Sequence, residues 1–224
     1  MTDISQEDLF KNFSNYTRRQ DIARFLVRNE LFKKIIKIKG SIIECGVHQG
    51  GGLMTFAHLS SIYEPYNYSR KIIGFDTFKG FKKFNTKKGD LDDFSKKKLF
   101  KENFDTYDNL KKCIKNFNDN RFINNKEKII LIKGDASKTI PKFLNENKHS
   151  LVSLLYLDFD VYSPTVIAIS NFIKRMSKGS IIAFDQVNNP DWPGETVALL
   201  ESINIQSYKL SCYSYEPNIS YITL

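Results

Sequence analysis

The sequence predicts an α/β fold built on a mostly parallel, doubly wound sheet, and three observations carry that expectation. Five short apolar runs rich in β-branched residues are spread along the chain. Helix-like stretches follow four of them, and the chain finishes on two further β-like runs joined by a turn. Near-continuous apolar strands imply a sheet covered on both faces. Alternation with helices implies parallel crossovers.

The elements follow in order. A chain of 224 residues suits one domain, spanning residues 1–224. Residues 1–40 should be helical, with Phe25, Leu26, Leu31, Phe32, Ile35 and Ile36 as the apolar face. Residues 41–47 (SIIECGV) form the first strand, before a helix over 51–63. Residues 71–78 (KIIGFDTF) form the second strand, and residues 79–128 interrupt the pattern as a long insert. The third strand covers 128–135 (KIILIKGD), with a helix over 137–147 capped by Ser137. The fourth covers 151–160 (LVSLLYLDFD), with a helix over 163–176 that tolerates Pro164 in its first turn. The fifth covers 180–187 (SIIAFDQV), with a helix over 194–203. The last runs, 206–215 and 220–224, read as a hairpin turned by Glu216-Pro217-Asn218.

Composition narrows the class. Hydrophobic residues make up 41% and charged residues 26%, as in an ordinary folded globule. No apolar stretch approaches the ~18 residues of a membrane span. The first ten residues are polar and acidic, unlike a secretory signal. Cys45, Cys113 and Cys212 are odd in number, widely spaced and without a C-x-x-C pair. That pattern fits reduced thiols in a cytoplasm and argues against a zinc-thiolate site. The insert carries 15 basic against 8 acidic side chains, a net +7 out of +9 for the whole chain. It also holds eight aromatics, among them Phe81, Phe84, Tyr107 and Phe117. Such a segment suits a lid over an anionic small substrate, a nucleic acid or membrane surface, or simply a lysine- and asparagine-rich exterior.

Four groups of residues carry chemistry. Glu44-Cys45-Gly46-Val47-His48-Gln49-Gly50-Gly51-Gly52 lies at a strand-to-helix turn, where glycines let the backbone approach a ligand. Asp76 ends the second strand, where an acid can accept from both hydroxyls of a ribose. Gly134-Asp135-Ala136 ends the third, a place for an acid facing an adenine amino group. Asp158-Phe159-Asp160 and Asp185-Gln186 end the fourth and fifth. Alternation along an extended strand would put Asp158 and Asp160 on one side, with Asp185 in reach. Clustered carboxylates need a cation or a shared proton, and hard oxygen donors suit Mg²⁺, Mn²⁺ or Ca²⁺. Strand-end acids capping the following helices are the plainer alternative for each.

The segments ECGVHQGG, GFDTFKGF, KGDAS, LLYLDFDVYSPT and GSIIAFDQV resemble, in that order, the macrocin O-methyltransferase family over residues 18–192. The resemblance implies a Rossmann-like class I methyltransferase fold, a seven-stranded, mostly parallel sheet with a C-terminal antiparallel hairpin. It implies S-adenosyl-L-methionine (SAM) and Mg²⁺ as cofactors, and a homo-oligomer that methylates a sugar hydroxyl. SAM would meet Glu44, Gly46, Val47, His48, Gly50, Asp76, Thr77, Phe78, Asp135, Ala136 and Asp158. Asp158 and Asp185 would hold the metal, and Asp160 would act as general base. Two departures stand out. His48 takes the place of a middle glycine, and Gln186 the place of a second Asp, leaving a weaker third metal ligand. The insert would recognise an anionic acceptor such as a nucleotide diphosphate sugar, first through Lys82, Lys83, Lys87 and Lys88. Rival readings are a nucleic-acid methyltransferase, an amino-sugar N-methyltransferase and a non-catalytic protein of this fold. The acid cluster and the missing N/D-P-P-Y motif weigh against nucleic acid, and nothing points to a membrane.

Overall fold

The computed structural model describes residues 5–80, 84–88, 90 and 106–224. Three helices, α1 (Gln6–Lys11), α2 (Phe13–Tyr16) and α3 (Arg19–Ile35), lead into β1 (Ser41–Cys45). Then come α4 (Gly51–Tyr63), β2 (Ile72–Asp76), α5 (Thr106–Asp119), β3 (Ile129–Lys133) and α6 (Ala136–Glu146). The chain continues through β4 (Val152–Leu157), α7 (Tyr162–Phe172), β5 (Met176–Phe184) and α8 (Pro193–Ser202). It closes with β6 (Ser211–Tyr213) and β7 (Glu216–Thr223). The strands form one seven-stranded sheet in the order β3-β2-β1-β4-β5-β7-β6. β1 to β5 are parallel, and β7 runs antiparallel to both β5 and β6. The predicted class I methyltransferase architecture is the one observed.

Alternation along the strands feeds two cores. Ile42, Leu154, Tyr156 and Ile181 face α3, α4 and α5. Ile43, Cys45, Leu155, Leu157, Ile182 and Phe184 face α6, α7 and α8. The chain winds outward in opposite senses from β1 and β4. The helices that follow them, α4 and α7, lie on opposite faces, and between those two departures opens the crevice where sheets of this type bind ligands. Arg70 ties the opposite end together. Its buried guanidinium donates to the carbonyls of Ile35, Ile36, Ile38 and Gly40 and pairs with Glu64 at 2.7 Å. It thereby satisfies the orphan carbonyls where α3 ends.

Several sequence-based expectations need correction. α3 buries Ala23, Val27, Arg28, Leu31, Phe32 and Ile35, whereas Phe25 and Leu26 are 43% and 44% exposed. The spacing 27-31-35 follows one helical face, and positions 25 and 26 fall to its side. α6 begins at Ala136, and its cap is Asp135, whose side chain accepts from the Ser137 N–H. Glu216-Pro217-Asn218 lie within β7 and the turn comes earlier. Pro217 is tolerated beside the register shift at Cys212/Tyr213, where a ladder N–H is not required. β4 stops at Leu157, so Asp158 and Asp160 stand on a turn and not on an extended strand. The later part of the insert is helical. α5 lays Leu110 and Phe117 into the core against α4, so this part is packed structure. No helix among the described residues is long and apolar enough to cross a membrane.

Candidate active site

Backbone strain marks the carboxyl edge of the sheet. Five non-glycine residues have positive φ among the described residues: His48, Phe78, Ile123, Asp160 and Asn188. Four of them sit in the turns that leave β1, β2, β4 and β5, and Gly134 (φ 147°) does the same after β3. Each such conformation costs roughly 1–3 kcal/mol and persists only where the surroundings impose it, most often at ligand sites.

The turn after β1 can be built only with glycine. Gly46 has φ 91°, and a Cβ there would stand 1.9 Å from the Asp158 carbonyl oxygen. β1 and β4 therefore pass in contact at the crevice. Gly50 (φ 90°) starts α4 and packs against Leu110 of α5. Asp76 holds the turn from the side. One of its carboxylate oxygens accepts the N–H groups of Val47 and His48, each at 2.8 Å, and the other accepts that of Phe78 at 2.7 Å. Thr77 donates to the Gly80 carbonyl, and the buried Phe78 ring meets Tyr107 of α5 at 5.0 Å between centroids. Asp135 is exposed at the head of α6, accepting from the N–H and hydroxyl of Ser137, with Ala136 buried behind it. Gly46, Val47, His48, Gly50, Asp76, Thr77, Phe78, Asp135 and Ala136 thus share one edge. Glu44 lies deeper, under the first turn of α4, where a Cβ at Gly52 would come within 1.9 Å of its Oε1. Burial pushes its carboxyl up to about 8, against the pull of Arg28.

The acids of β4 and β5 meet at the same edge, around a cation supplied by α3. Asp185 is 1% exposed. Its Oδ1 accepts from the Tyr156 hydroxyl at 2.8 Å and from Arg24, and its Oδ2 from the Gln186 amide nitrogen at 3.2 Å. The same Arg24 nitrogen lies 3.9 Å from the Asp158 carboxylate. Glu195, fully buried on α8, accepts the N–H groups of Asp185 (3.2 Å) and Gln186 (2.9 Å) and sets the turn after β5. Asp160 is buried just past β4, near enough to Asp158 and Glu195 for its charge to act on both. Burial, then the Asp185 and Asp160 charges, hold the Asp158 carboxyl well above the usual range. Burial, then Asp185, do the same to Glu195. Burial pulls the Arg24 guanidinium down, but the Asp185 carboxylate outweighs it and keeps the group charged.

Among the described residues, no group of three or more His, Cys, Asp or Glu side chains is disposed to hold a metal ion. The oxygen chemistry nonetheless suits a hard cation. A single guanidinium nitrogen faces both Asp158 and Asp185, so one positive centre can serve the two. Gln186 presents nitrogen to Asp185 and its oxygen to Asn189 at 2.6 Å, so to act as a ligand its amide would have to turn over. Beside Gln186 opens a cleft of about 690 Å³ between α8 and the hairpin, lined by Asn188, Asn189, Asn218, Leu199 and Leu210 among others.

Of the four lysines expected to meet an anion, Lys82 and Lys83 lie outside the described residues. Lys87 is exposed. Lys88 is committed to Glu201 at 2.7 Å and lies over the Tyr162 ring. Near it, the buried Asp90 accepts the N–H of Tyr162 at 2.8 Å and of Asn85 at 2.6 Å, anchoring this stretch to the head of α7. Sequence reasoning missed Arg24, Tyr156 and Glu195. Glu195 had a signal, an acid in the first turn after Pro193-Gly194. Arg24 had none, since its partner is 161 residues away.

The sequence model of the macrocin-O-methyltransferase (TylF) family matches residues 29–197. No curated protein matches the chain. Among solved structures, a calicheamicin methyltransferase, CalS11, is 31% identical, with 99% of this chain and 86% of that one covered and a TM-score of 0.93. An apo structure of CalS11, described as a TDP-rhamnose 3'-O-methyltransferase, is 30% identical over 99% and 87%, with a TM-score of 0.85. The O-methyltransferase NovP shares the fold at 17% identity, over 90% and 79%, with a TM-score of 0.64.

Proposed function

We propose that this chain, which belongs to the macrocin-O-methyltransferase family, methylates a hydroxyl of a sugar, with a divalent cation at its acid cluster. The chain is a SAM-dependent methyltransferase. One observation carries the finer reading. The buried, left-handed Asp160 follows β4 at the carboxyl edge of the sheet, two residues past Asp158 and within reach of its charge. On this reading Asp160 is the proton acceptor beside the cofactor crevice.

SAM supplies an electrophilic methyl on a sulfonium, and the chain has to bind it, aim it and exclude water. The turn from Gly46 to Gly50 forms the floor of that crevice, Asp76 sets the turn's shape, and Asp135 stands at the far side beside β3. Asp160 would take the hydroxyl proton as the oxygen attacks, a role that needs a carboxylate within hydrogen-bond reach. Bringing the two reactants into line is the larger part of such a reaction. Asp158, Asp185 and the Gln186 carbonyl would hold Mg²⁺, which when bound lowers the pKa of a hydroxyl it coordinates. The amide-rich cleft beside Gln186 is the place we assign to the acceptor, because Asn188, Asn189 and Asn218 offer both donors and acceptors to hydroxyls.

We further propose a nucleotide-linked sugar as acceptor. The description of CalS11 as acting on TDP-rhamnose supports this class, as does the net +7 of residues 79–128. The test is incubation with methyl-labelled SAM and a panel of nucleoside diphosphate deoxysugars, followed by NMR of the product methyl. An O-methyl sugar is expected. An N-methyl product, or transfer to no sugar in the panel, would contradict the reading.

A further inference from the structure

We propose that Arg24 is a built-in counter-cation of the Asp158/Asp185 pair, which a divalent metal must displace in order to bind. The inference rests on the metal-binding part of the function proposed above and adds to it a competitor within the chain. Asp158 and Asp185 lie close enough to Asp160 and Glu195 for their charges to interact, and all but Asp158 are buried. Bringing such charges together without a cation is strongly unfavourable. The Arg24 guanidinium supplies that cation, pairing with Asp185 and lying 3.9 Å from Asp158. The Arg24 side chain is 28% exposed, so it has solvent to move into, whereas Asp185, at 2%, has none. A metal and the guanidinium would compete for the same oxygen, Asp185 Oδ1, which already accepts from Tyr156.

The arrangement has a consequence for α3. Arg24 lies on the helix whose residues Val27, Leu31 and Ile35 are locked into the core. Displacement is therefore a side-chain swing and does not require the helix to leave. The site without metal stays folded because its charges are paired, and metal affinity is reduced by the share of time Arg24 holds the carboxylates. If that share is about nine-tenths, apparent affinity falls roughly tenfold.

The experiment compares the full chain with Arg24→Gln and Arg24→Lys, by calorimetric titration with Mn²⁺ and by thermal melting in chelator and in excess Mg²⁺. Arg24→Gln should bind Mn²⁺ roughly tenfold more tightly than the unmodified chain. It should melt lower in chelator and recover in Mg²⁺, while Arg24→Lys, which keeps the charge, should recover the chelator stability. SAM affinity measured alongside shows that each variant is folded. Equal Mn²⁺ affinity in the unmodified chain and Arg24→Gln would overturn the inference and leave the metal site standing. No Mn²⁺ binding by either would overturn both the inference and the metal part of the proposed function.

Discussion

His48 and Asp76, 28 residues apart in sequence, are joined by a 2.8 Å hydrogen bond from the His48 backbone N–H to the Asp76 carboxylate. Val47 donates to the same oxygen. The last residue of β2 therefore shapes the turn that leaves β1. Asp76→Ala frees two adjacent N–H groups and lets the left-handed His48 relax. SAM affinity should drop by about tenfold or more, as lost charge-assisted bonds imply. Asp76→Asn keeps one acceptor oxygen and should fall between. Calorimetry with SAM reads both, and unchanged affinity in Asp76→Ala would refute this role.

Gly46→Ala should destabilise the protein as well as weaken SAM binding. The added methyl meets the Asp158 carbonyl oxygen at 1.9 Å, and the backbone there has φ 91°. Strain of this kind costs on the order of 1–3 kcal/mol before any steric repair. The check is the melting temperature, expected several degrees lower, with Gly51→Ala as a control because nothing lies within 4 Å of that position.

Much of this was legible in the sequence because it is local. Apolar runs and the glycines after them located β1 to β5, and the order of Gly46, Asp76, Asp135 and Asp158 along the chain matched the order of strand ends. What stayed hidden depends on long-range packing. The apolar run through 151–160 places Asp160 on a strand, yet it turns left-handed where β4 has already stopped. Arg24 sits on a helix whose apolar residues do not by themselves fix the buried face, because Phe25 and Leu26 lie beside it and stay exposed. The hairpin turn was misplaced because Pro217 is a turn signal in sequence, whereas a register shift lets it stay in β7.

Glu44 should make stability depend on pH. Its carboxyl rises from an ordinary 4.5 to about 8 on folding, chiefly through burial. The folded state thus holds its proton more tightly than the unfolded state. The stabilisation is fully present below 4.5 and is lost as pH rises through about 8. Glu44→Gln, neutral at every pH, should flatten the fall in melting temperature across that window. Parallel slopes for the two proteins would contradict the assignment.

Arg70→Met should be among the more damaging changes far from the site. It removes a guanidinium that serves four carbonyls at the end of α3 and leaves Glu64 without its 2.7 Å partner. Breaking one side of a buried pair costs about 3–5 kcal/mol. Urea unfolding should show a midpoint shift of that order with the slope unchanged, and a shift within error would disprove it.

Asp160 is the residue we assign to accept the proton of a sugar hydroxyl during methyl transfer. Its most direct test is the turnover of Asp160→Asn against the unmodified chain, with SAM, Mg²⁺ and a nucleotide-linked deoxysugar, alongside SAM affinity for both. Loss of a general base costs roughly 10²–10⁴ in rate. kcat should fall by that factor with SAM affinity held within about twofold, since the asparagine leaves the β1 turn untouched. A kcat that survives the substitution would contradict it.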